Sequence, residues 1–592
     1  GPELARRLRR SLLDARRHAG ASSLALARLH RPEGVAGPRG LSPVGVSFPG
    51  FTVPERFEDL EIEGFSAGSA SGFTGLGLVL WERRNRFEAS WSFLLPRLHP
   101  GTVERIAACF EEEVARLLAA TPGAPDAAAP RPTAPDPTSS GATALRTGAA
   151  RALPRHIFDA VQHHGRGAVE EPTGETIPAT AIVDRALRTR TLLGTLGIGR
   201  GDRVGLLARA SAPAVAALLG ISAAGAAWVA LDPDLPDARL HRIAAHAGLR
   251  CLACRVAERP RAAAIPGLRH LILLDGDATE PPAGRDGPTV HPAAEVTALP
   301  PRPPADLSGR DPVWVLYTSG TTGEPKGVIA AHEAAVSYLE WVSRELGFDR
   351  EDRFLQLASL GFGASVRQLF TPLTAGATGC PAPPGLARDP ATLVDFVDEA
   401  RITVFNSVPT VWRRLLDGLD DRDEAGRPAT LAALRHVLIG GEILPAPLVR
   451  RWLDRFGDRH RLVNLYGGAE TMFNALFHRV TARPDAHRVH VPVGRPRPGV
   501  EVLLVDQTGR ATAPGETGEL LLGGPHLALG YLDAPAATAA AWVERPEGRF
   551  FRTGDLARYD EAGDLVVLGR SDSQVKIRGN RVELGEVEAA LR

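Results

Sequence analysis

A chain of 592 residues can bury several hydrophobic cores, and its 44% hydrophobic and 23% charged content is ordinary for globular protein. Lys plus Arg equals Asp plus Glu at 69 each, which excludes the basic footprint of proteins that bind nucleic acid or an anionic membrane. No apolar run approaches the roughly 18 to 20 residues that cross a bilayer, and the N-terminus lacks a signal pattern. We therefore expect a cytoplasmic multidomain protein that acts on a small molecule, without a nucleic-acid or membrane partner.

The first part of the chain ends in a segment of low apolar content. Leu76–Leu80 and Phe87–Phe93 are predicted strands around a polar turn, and residues 102–119 place apolar side chains on one face of a helix. Residues 121–150 are rich in Pro, Ala, Ser and Thr, so they cannot bury enough surface to offset the entropy lost on ordering. We interpret 121–150 as a linker after a domain at residues 3–120.

The rest of the chain alternates apolar strands with amphipathic helices. A strand at Arg203–Leu207, a helix over 212–225 and a strand at 228–231 form one such unit, and the alternation predicts an α/β fold with largely parallel sheets. From about residue 500 short strands and turns predict a small β-barrel-like subdomain. Cys251 and Cys254 lie in an apolar run without a second pair nearby, so we expect buried strand cysteines.

The segment Tyr317–Val328, YTSGTTGEPKGV, leads from an apolar strand into a loop rich in hydroxyls and glycine. Such loops bind phosphate through backbone amides and hydroxyls. The kinase-type loop GxxxxGK[ST] does not fit, because Lys326 stands three residues after Gly323 and precedes Gly327. A plain surface loop is the other alternative. The expected phosphate contacts are Thr318, Ser319, Gly320, Thr321, Thr322 and Gly323.

Further motifs accompany this loop in a fixed order. They are SAAGAAWVALD at 222–232, NLYGGAET at 464–471, GELLLGGPHLALGYL at 518–532, FRTGDL at 551–556 and GRSDSQVKIRGNRVELGEVE at 569–588. Over residues 155–592 the chain resembles the adenylation domains of nonribosomal peptide synthetases, within the superfamily of acyl-CoA synthetases and luciferases. The resemblance implies two α/β subdomains plus the β-barrel subdomain. It also implies that a carboxylate attacks the ATP α-phosphorus, and that a phosphopantetheine thiol on a carrier domain captures the acyl-adenylate.

The resemblance assigns the nucleotide contacts. Tyr466 would stack on adenine, Asp555 would accept both ribose hydroxyls with Arg570 nearby, and Glu470 would hold Mg2+. Lys326 and Glu470 are the catalytic candidates. Three of these residues also have a structural alternative: Tyr466 could be a core residue, Asp555 a turn residue and Glu470 a carboxylate at a helix start. Further ATP contacts are expected from Gly441, Glu442, Asn464 and Gly467.

Two positions depart from the family pattern. The usual YGPTE is YGGAE here, so Gly468 and Ala469 replace a rigid Pro and a Thr hydroxyl, and we expect weaker or rearranged phosphate and metal contacts. Relatives that activate amino acids carry Asp directly after Phe362, where it pairs with the substrate α-ammonium. Gly363 stands there in this chain. Because a buried ammonium without a partner is costly, we do not expect an ordinary α-amino acid as substrate.

The resemblance also defines a substrate pocket. Candidate acids are a 2-oxo acid, a hydroxy acid or a β-amino acid whose amine is held elsewhere. Arg367 could instead meet a second acidic group or extend from its helix to solvent. The pocket residues are Gly363, Ala364, Arg367, Asn406, Leu438, Gly440, Leu465, Phe473 and Asn474.

The resemblance extends to both ends of the chain. Residues 3–120, an α+β pattern, resemble the C-terminal part of a condensation domain, and His163-His164 lacks the Asp-Gly of that family's HHxxxDG motif, so we expect no condensation activity. The remaining condensation domain would be a partner. The adenylation core at 151–572 would end at the hinge Asp572. Residues 573–592 would begin a truncated C-terminal subdomain without its catalytic lysine, and Lys576 would serve the thioester-forming orientation, so we expect poor adenylation.

Two other functions remain open on the sequence alone. The altered YGGAE is compatible with a degenerate adenylation core that only docks partners. A stand-alone acyl-CoA ligase is the second alternative, which the condensation-like segment and the linker disfavour.

Overall fold

Two compact units, Gly1–Arg131 and Pro132–Arg592, make up the chain. This computed structural model describes residues 151–276, 287–318, 325–513 and 515–571, and the backbone of strands within 44–93 and 574–583. The boundary between the units falls within the segment interpreted as a linker. That segment and the predicted helix at 102–119 lie outside the described residues, so the division into domains stays a prediction.

The first unit contains two small sheets. The strands Leu76–Arg83 (β4) and Arg86–Phe93 (β5) pair antiparallel, with Leu76 opposite Phe93 and Arg83 opposite Arg86. The strand Val44–Ser47 (β1) runs parallel to β4. The two predicted strands are confirmed, and both extend further into the turn than expected. The strands are β1 (Val44–Ser47), β2 (Arg56–Phe57), β3 (Leu60–Glu61), β4 (Leu76–Arg83) and β5 (Arg86–Phe93).

An eight-stranded sheet forms one large layer of the second unit, in the order β12-β11-β10-β8-β9-β13-β14-β24. The strands from β12 to β13 run parallel, and β14 and β24 add antiparallel at one edge. All residues of β9 and β10 are buried, as expected for parallel strands covered on both faces. The strands are β8 (Arg203–Leu207), β9 (Ala227–Leu231), β10 (Cys251–Cys254), β11 (His270–Leu273), β12 (Thr289–His291), β13 (Pro312–Thr318), β14 (Lys326–Ala331) and β24 (Gly530–Tyr531).

A nine-stranded sheet forms the other large layer, in the order β21-β20-β19-β18-β17-β15-β16-β6-β7. Its strands from β6 to β19 are parallel, and antiparallel strands close both edges. The predicted α/β architecture with largely parallel sheets is therefore confirmed. The strands are β6 (Ala168–Glu170), β7 (Thr176–Pro178), β15 (Arg353–Gln356), β16 (Thr378–Pro381), β17 (Val404–Ser407), β18 (His436–Gly440), β19 (Arg461–Tyr466), β20 (Leu476–Val480) and β21 (Arg495–Pro496).

A five-stranded antiparallel sheet corresponds to the predicted β-barrel-like subdomain. β26 pairs with β23 along one edge, and with β25 and then β27 along the other. A separate hairpin, β28–β29, follows. The strands are β22 (Glu501–Val505), β23 (Gly518–Gly523), β25 (Trp542–Arg545), β26 (Gly548–Tyr559), β27 (Leu565–Arg570), β28 (Gln574–Ile577) and β29 (Asn580–Glu583).

The helices cover the two large sheets. The sequence determines both ends of the helix Ala212–Ala224 (α3). The Ser211 hydroxyl accepts a hydrogen bond from the Ala214 amide at the start, and Gly225 ends the helix at a φ of 88°. Among the described residues, no helix combines the length and the apolar character that a bilayer crossing needs. The helices are α1 (Leu153–His164), α2 (Ala179–Thr195), α3 (Ala212–Ala224), α4 (Asp237–His246), α5 (Arg259–Ala263), α6 (Ala293–Ala298), α7 (His332–Leu346), α8 (Gly363–Ala375), α9 (Pro390–Glu399), α10 (Pro409–Glu424), α11 (Ala446–Phe456) and α12 (Pro535–Ala541).

One hydrophobic cluster joins the two large sheets. It includes Trp228 and Trp314 from the eight-stranded sheet, and Val404 and Leu438 from the nine-stranded sheet, with residues of α7 and α8. Cys251 is buried in this cluster and Cys254 in a neighbouring one, and burial raises the pKa of each thiol to about 12. The prediction of buried strand cysteines is confirmed. The shared core means that loops from both sheets are held in a fixed relation to each other.

Candidate active site

The predicted site residues cluster where parallel strands of both sheets end. β13 ends at Thr318, β17 carries Asn406, and β18 and β19 end at Gly440 and Tyr466. Ligands of α/β proteins bind outside the carboxyl ends of parallel strands. The fold therefore gathers segments that are far apart in the sequence at the edge where a ligand is expected.

The expected phosphate loop connects β13 and β14. These strands pair antiparallel with Thr318 directly opposite Lys326. Residues 319–324 lie outside the described residues, so the phosphate contacts of Ser319, Gly320, Thr321, Thr322 and Gly323 stay predictions. The pairing nevertheless places Lys326 at the start of the returning strand, next to the residue that precedes the loop.

Tyr531 connects the two catalytic candidates. The Lys326 ammonium lies 5.5 Å from the centroid of the Tyr531 ring, and the Tyr531 hydroxyl donates to Glu470 Oε1 at 3.2 Å. The Ala528 amide also donates to the Glu470 carbonyl at 2.9 Å. Sequence reasoning quoted Tyr531 only inside the motif GELLLGGPHLALGYL. The feature that could have indicated Tyr531 as a site residue is its aromatic hydroxyl, directly after Gly530 in a segment that already resembled the family.

Glu470 fits a site for Mg2+. Its side chain is 1% exposed, and a carboxylate supplies the hard oxygen that Mg2+ prefers. The described residues hold no group of three His, Cys, Asp or Glu side chains able to share a metal. A nucleotide site commonly binds Mg2+ through one or two carboxylates together with phosphate oxygens and water, and Glu470 beside the β13–β14 connection has that character.

The altered YGGAE turn is closed by Thr471. The Gly468 amide donates to Thr471 Oγ1 at 3.1 Å, and this hydroxyl lies 3.3 Å from the Gly468 carbonyl. Gly467 has a φ of 154°, and a Cβ there would stand 2.4 Å from the Phe473 carbonyl oxygen. Only glycine therefore fits at position 467. The turn stays compact without the Pro of the family pattern.

A buried polar chain lies on the side expected for adenosine. The Tyr466 hydroxyl donates to Asp555 Oδ2, and Arg570 Nη1 donates to Asp555 Oδ1 at 2.8 Å. The Asp555 side chain is only 6% exposed. The structure thus brings together the three residues that the resemblance assigned to adenine and ribose. A carboxylate has about four acceptor sites, so Asp555 can accept ribose hydroxyls while it keeps these partners.

Three further residues that the resemblance assigned to ATP lie in or directly after the strands of the nine-stranded sheet. Asn464 is part of β19, and Gly441 and Glu442 follow β18. Asn464 lies on the same face of β19 as Tyr466, and its amide donates to the Pro492 carbonyl at 2.7 Å. Glu442 Oε2 accepts the Thr410 hydroxyl at 2.8 Å, and Gly441 has a φ of 88°. The described contacts of Asn464 and Glu442 are thus to the protein, and their predicted contacts with ATP stay predictions.

The Phe473 ring occupies the space beside Gly363. Gly363 is the first residue of α8, and a Cβ on it would stand 1.9 Å from Phe473 Cδ1. Phe473 has a φ of 67° and its ring stacks on Trp314 at 5.9 Å between centroids. An Asp at position 363 would therefore collide with Phe473 unless the ring moved.

Arg367 is buried among neutral side chains. It is 3% exposed, so the alternative in which it extends from its helix to solvent is wrong. Its Nη1 donates to the Tyr338 hydroxyl at 2.5 Å and to Asn474 Oδ1, and its Nη2 donates to Asn406 Oδ1 at 2.6 Å. Hydrogen bonds to acceptors from α7, β17 and the segment before β20 hold the guanidinium inside the fold.

The other predicted pocket residues lie in α8, β18 and β19. Leu438 and Leu465 are buried in β18 and β19, where Gly440 pairs with Leu465 across the two strands. Ala364 follows Gly363 in α8. Sequence reasoning missed Trp314, Tyr338 and Gln368, which have no motif of their own. Gln368 Nε2 donates to Asn406 Oδ1 at 3.0 Å and so helps to orient the Asn406 side chain.

Four further residues named from the sequence are His163, His164, Asp572 and Lys576. His163 and His164 end α1, and His164 Nε2 lies 3.1 Å from the Thr374 carbonyl oxygen. Lys576 belongs to β28, whose side chains are outside the described residues, as is Asp572. Their hinge and thioester roles stay predictions.

Comparison with known proteins decides the family. The model of the AMP-binding enzyme family matches residues 159–532. The chain belongs to this family. It is an adenylation domain of the nonribosomal peptide synthetase type, as its relatives indicate: syringomycin synthase SyrB1 of Pseudomonas syringae pv. syringae is 36% identical over 67% of this chain and 61% of its own length. Pyochelin synthetase PchF of Pseudomonas aeruginosa is 36% identical over 69% of this chain and 21% of its own.

A solved structure agrees with this assignment. PA1221, an NRPS protein containing adenylation and PCP domains and bound to a vinylsulfonamide inhibitor, is 27% identical and aligns with a TM-score of 0.61. The match covers 74% of this chain and 72% of that chain. This chain spans less than two thirds of the length of each of the two synthetases.

Proposed function

We propose that this adenylation domain activates a carboxylic acid other than an ordinary α-amino acid, with ATP and Mg2+, for transfer to a carrier domain of a nonribosomal peptide synthetase. The observation that carries the substrate proposal is the contact of Gly363 with Phe473. An apolar ring stands where an acidic side chain would have to meet an α-ammonium. An ammonium buried there would lack a partner, at a cost of several kcal/mol.

The reaction needs one new bond and one broken bond. A carboxylate oxygen of the acid bonds to the α-phosphorus of ATP, and the bond from this phosphorus to the bridging oxygen breaks as pyrophosphate leaves with the electron pair. Mg2+, when bound, neutralises phosphate charge. Glu470 is suited to hold it, Lys326 brings positive charge to the phosphate side, and Asp555 with Tyr466 is suited to orient the adenosine.

The polar character of the pocket favours some acids over others. None of its nine residues is acidic, and Arg367 brings a buried positive charge. A cation in the pocket repels an amine and attracts oxygen acceptors. This favours 2-oxo and hydroxy acids over β-amino acids among the candidates from the sequence.

The proposed partner is a carrier domain with a phosphopantetheine arm, and in the parent synthetase also the rest of a condensation domain. PA1221, which combines adenylation and PCP domains in one protein, supports the first partner. The second rests on the resemblance of residues 3–120 alone. Loading of a radiolabelled acid onto a holo carrier protein, in preference to coenzyme A, distinguishes this function from an acyl-CoA ligase.

Acid-dependent exchange of labelled pyrophosphate into ATP tests the proposal. The panel contains 2-oxo, hydroxy, β-amino and α-amino acids with matched side chains, and mass spectrometry identifies the acyl-adenylate. We expect a 2-oxo or hydroxy acid to give the highest kcat/KM. Glu470→Gln should lower that rate about 100-fold or more, whereas Glu351→Gln, at a 75% exposed side chain, should leave it unchanged. If α-amino acids turn over best, the proposal is wrong. If ATP binds but no acid supports exchange in the full-length parent synthetase, the chain is a docking module.

A further inference from the structure

Two buried guanidinium groups flank Tyr338 at the pocket. Arg367 is 3% exposed and Arg497 is 1% exposed. Arg367 donates to the Tyr338 hydroxyl, while the Arg497 guanidinium carbon lies 6.0 Å from the Tyr338 ring centroid and 5.7 Å from that of Trp341. Arginine is rarely buried to this extent unless it is paired. The two side chains therefore concentrate positive charge in one part of the core.

No acidic side chain balances this charge within the described part of the chain. Neither arginine forms an ion pair there, and the hydrogen-bond acceptors of Arg367 are a phenol and two amides. Burial raises the pKa of Tyr338, so its hydroxyl stays neutral. Burial also lowers the pKa of Arg497 to about 10, which still leaves it charged at neutral pH. Burying such ions without an anion costs several kcal/mol each, so a bound anion would stabilise this region.

The hydrogen bonds of Arg367 do not use all of its N–H donors. Three of about five N–H donors are used by Tyr338, Asn474 and Asn406. The Nε–H is buried and has no hydrogen-bond partner among the described residues. A carboxylate accepts two parallel N–H bonds from an arginine edge, and this is the strongest pairing a guanidinium makes. The number of remaining donors matches such a ligand.

The position of Arg367 in α8 indicates which part of the acid it meets. Arg367 follows Gly363 by four residues, so both lie on one face of the helix about 6 Å apart along its axis. Gly363 begins α8 beside Phe473, and Arg367 reaches Asn406 and Asn474 deeper in the fold. An acid whose reacting carboxylate faces the phosphate side would present its far end to Arg367.

We propose that Arg367 binds a second carboxylate at the far end of the substrate, so that the activated acid is a dicarboxylic acid. This inference rests on the proposed function, because it takes the pocket as the binding site of the acid. Arg497 acts behind Tyr338 as a second source of positive potential. An apolar or ammonium-bearing end group would leave the Nε–H of Arg367 without an acceptor, and a neutral oxygen would accept the hydrogen bond without balancing the charge.

Matched acids test the proposal by pyrophosphate exchange. Succinate, glutarate and 2-oxoglutarate are each compared with the terminal monoamide, which keeps the shape but loses the charge. We expect kcat/KM for the preferred dicarboxylate to exceed that for its monoamide by about 100-fold or more, since the amide oxygen can accept one N–H bond from Arg367 but brings neither the second acceptor oxygen nor the negative charge. Equal rates for acid and monoamide overturn the proposal.

Variants of Arg367 provide the second comparison. Arg367→Met should lower kcat/KM for the dicarboxylate about 100-fold and change that for the monoamide less than about 5-fold, because the lost contact is specific to the charged end. Arg367→Lys, which keeps the charge but loses the fork, should give an intermediate loss. Arg310→Met, at an 85% exposed side chain, serves as the matched control and should change neither rate. Unchanged selectivity in both Arg367 variants overturns the proposal.

Calorimetric titration of the dicarboxylates into the unmodified protein gives a readout that does not need turnover. We expect saturable binding that weakens at least about 10-fold for the monoamides and for Arg367→Lys. Absence of dicarboxylate binding overturns the dicarboxylate proposal. If neutral 2-oxo or hydroxy acids support exchange while dicarboxylates neither bind nor react, the proposed function stands and only the second carboxylate is wrong.

Discussion

The backbone of Gly363 lies against the ring of Phe473, with room for no other residue: a Cβ on Gly363 would stand 1.9 Å from Phe473 Cδ1. The ring itself is fixed by stacking on Trp314. The phenyl ring therefore occupies the space that an acidic side chain at position 363 would need. A reversion at position 363 alone cannot restore the ammonium site.

The contact predicts a stability cost for any side chain at position 363. Gly363→Ala should lower the free energy of unfolding by about 1 to 3 kcal/mol, the usual cost of overpacking, as measured by urea denaturation. Gly361→Ala is the matched control, because its Cβ would meet only ordinary contacts, at 3.9 Å or more. In the double variant with Phe473→Ala, the added cost of Gly363→Ala should largely vanish. Equal costs in the two backgrounds would contradict this contact.

Tyr531 should act on both catalytic candidates. Tyr531→Phe removes the hydrogen bond to Glu470 but keeps the ring beside Lys326, and we expect exchange at low Mg2+ to fall about 10-fold, the value of one charge-assisted hydrogen bond. Tyr531→Leu also removes the cation–π contact and should fall further. Tyr559→Phe, in the five-stranded sheet, should have no effect. Identical rates for Tyr531→Phe and the unmodified protein would show that the Glu470 contact plays no part.

Asp555 should matter more for nucleotide affinity than the hydroxyl of Tyr466. Asp555→Asn loses the charge that holds Arg570 and that would accept ribose hydroxyls, so the Kd for ATP should rise about 10- to 100-fold. Tyr466→Phe keeps the ring and should change the Kd less than about 3-fold. Calorimetry with ATP measures both, with Asp485→Asn at the surface as control. A larger effect from Tyr466→Phe than from Asp555→Asn would reverse these roles.

His436 should make the fold sensitive to acid. It is fully buried, neither ring nitrogen has a partner among the described residues, and burial lowers its pKa from 6.5 to about 4. Because the folded-state pKa lies below the unfolded one, the stabilisation is complete above pH 6.5 and is lost as the pH falls towards 4. Between pH 7 and 5 this amounts to about 2 kcal/mol.

Urea denaturation at pH 7 and pH 5 measures this contribution. His436→Phe should reduce the loss of stability between the two pH values by about 2 kcal/mol, since a phenyl ring retains the edge contact with Phe348 and does not titrate. His487→Phe, at an 88% exposed side chain, should leave the pH dependence unchanged. An unaltered pH dependence in His436→Phe would place the acid sensitivity elsewhere.

The sequence predicted features that local pattern controls. The apolar runs of β8 and β9 appear at nearly the expected bounds, because buried parallel strands are continuously apolar. The motifs named Tyr466, Glu470 and Asp555 as candidates, but they gave no side-chain contacts. Tyr466 contacts Asp555 89 positions away, and Glu470 contacts Tyr531 61 positions away. These pairs meet because segments in or next to different sheets come together in the fold.

Arg367 shows most clearly what the sequence did not determine. Helical periodicity leaves a long cationic side chain free to extend to solvent or to turn inward. The inward position depends on acceptors from Tyr338, Asn406 and Asn474, three segments with no spacing relation to α8. Phe473 is similar, since its ring reaches Gly363 only because residue 473 adopts a positive φ. The positions of Arg367 and Phe473 are therefore set by tertiary contacts, whereas the motifs that indicate the family are local in the sequence.

The most direct test of the account compares two acids that share one carbon skeleton and differ only at Cα: an α-amino acid and its 2-oxo counterpart. Pyrophosphate exchange is measured for both with the same preparation and saturating ATP. The contact of Gly363 with Phe473 predicts a kcat/KM at least about 100-fold higher for the 2-oxo acid, since the 2-oxo oxygen needs no acidic partner in the pocket. Faster exchange with the α-amino acid would contradict the role assigned to Gly363 and Phe473.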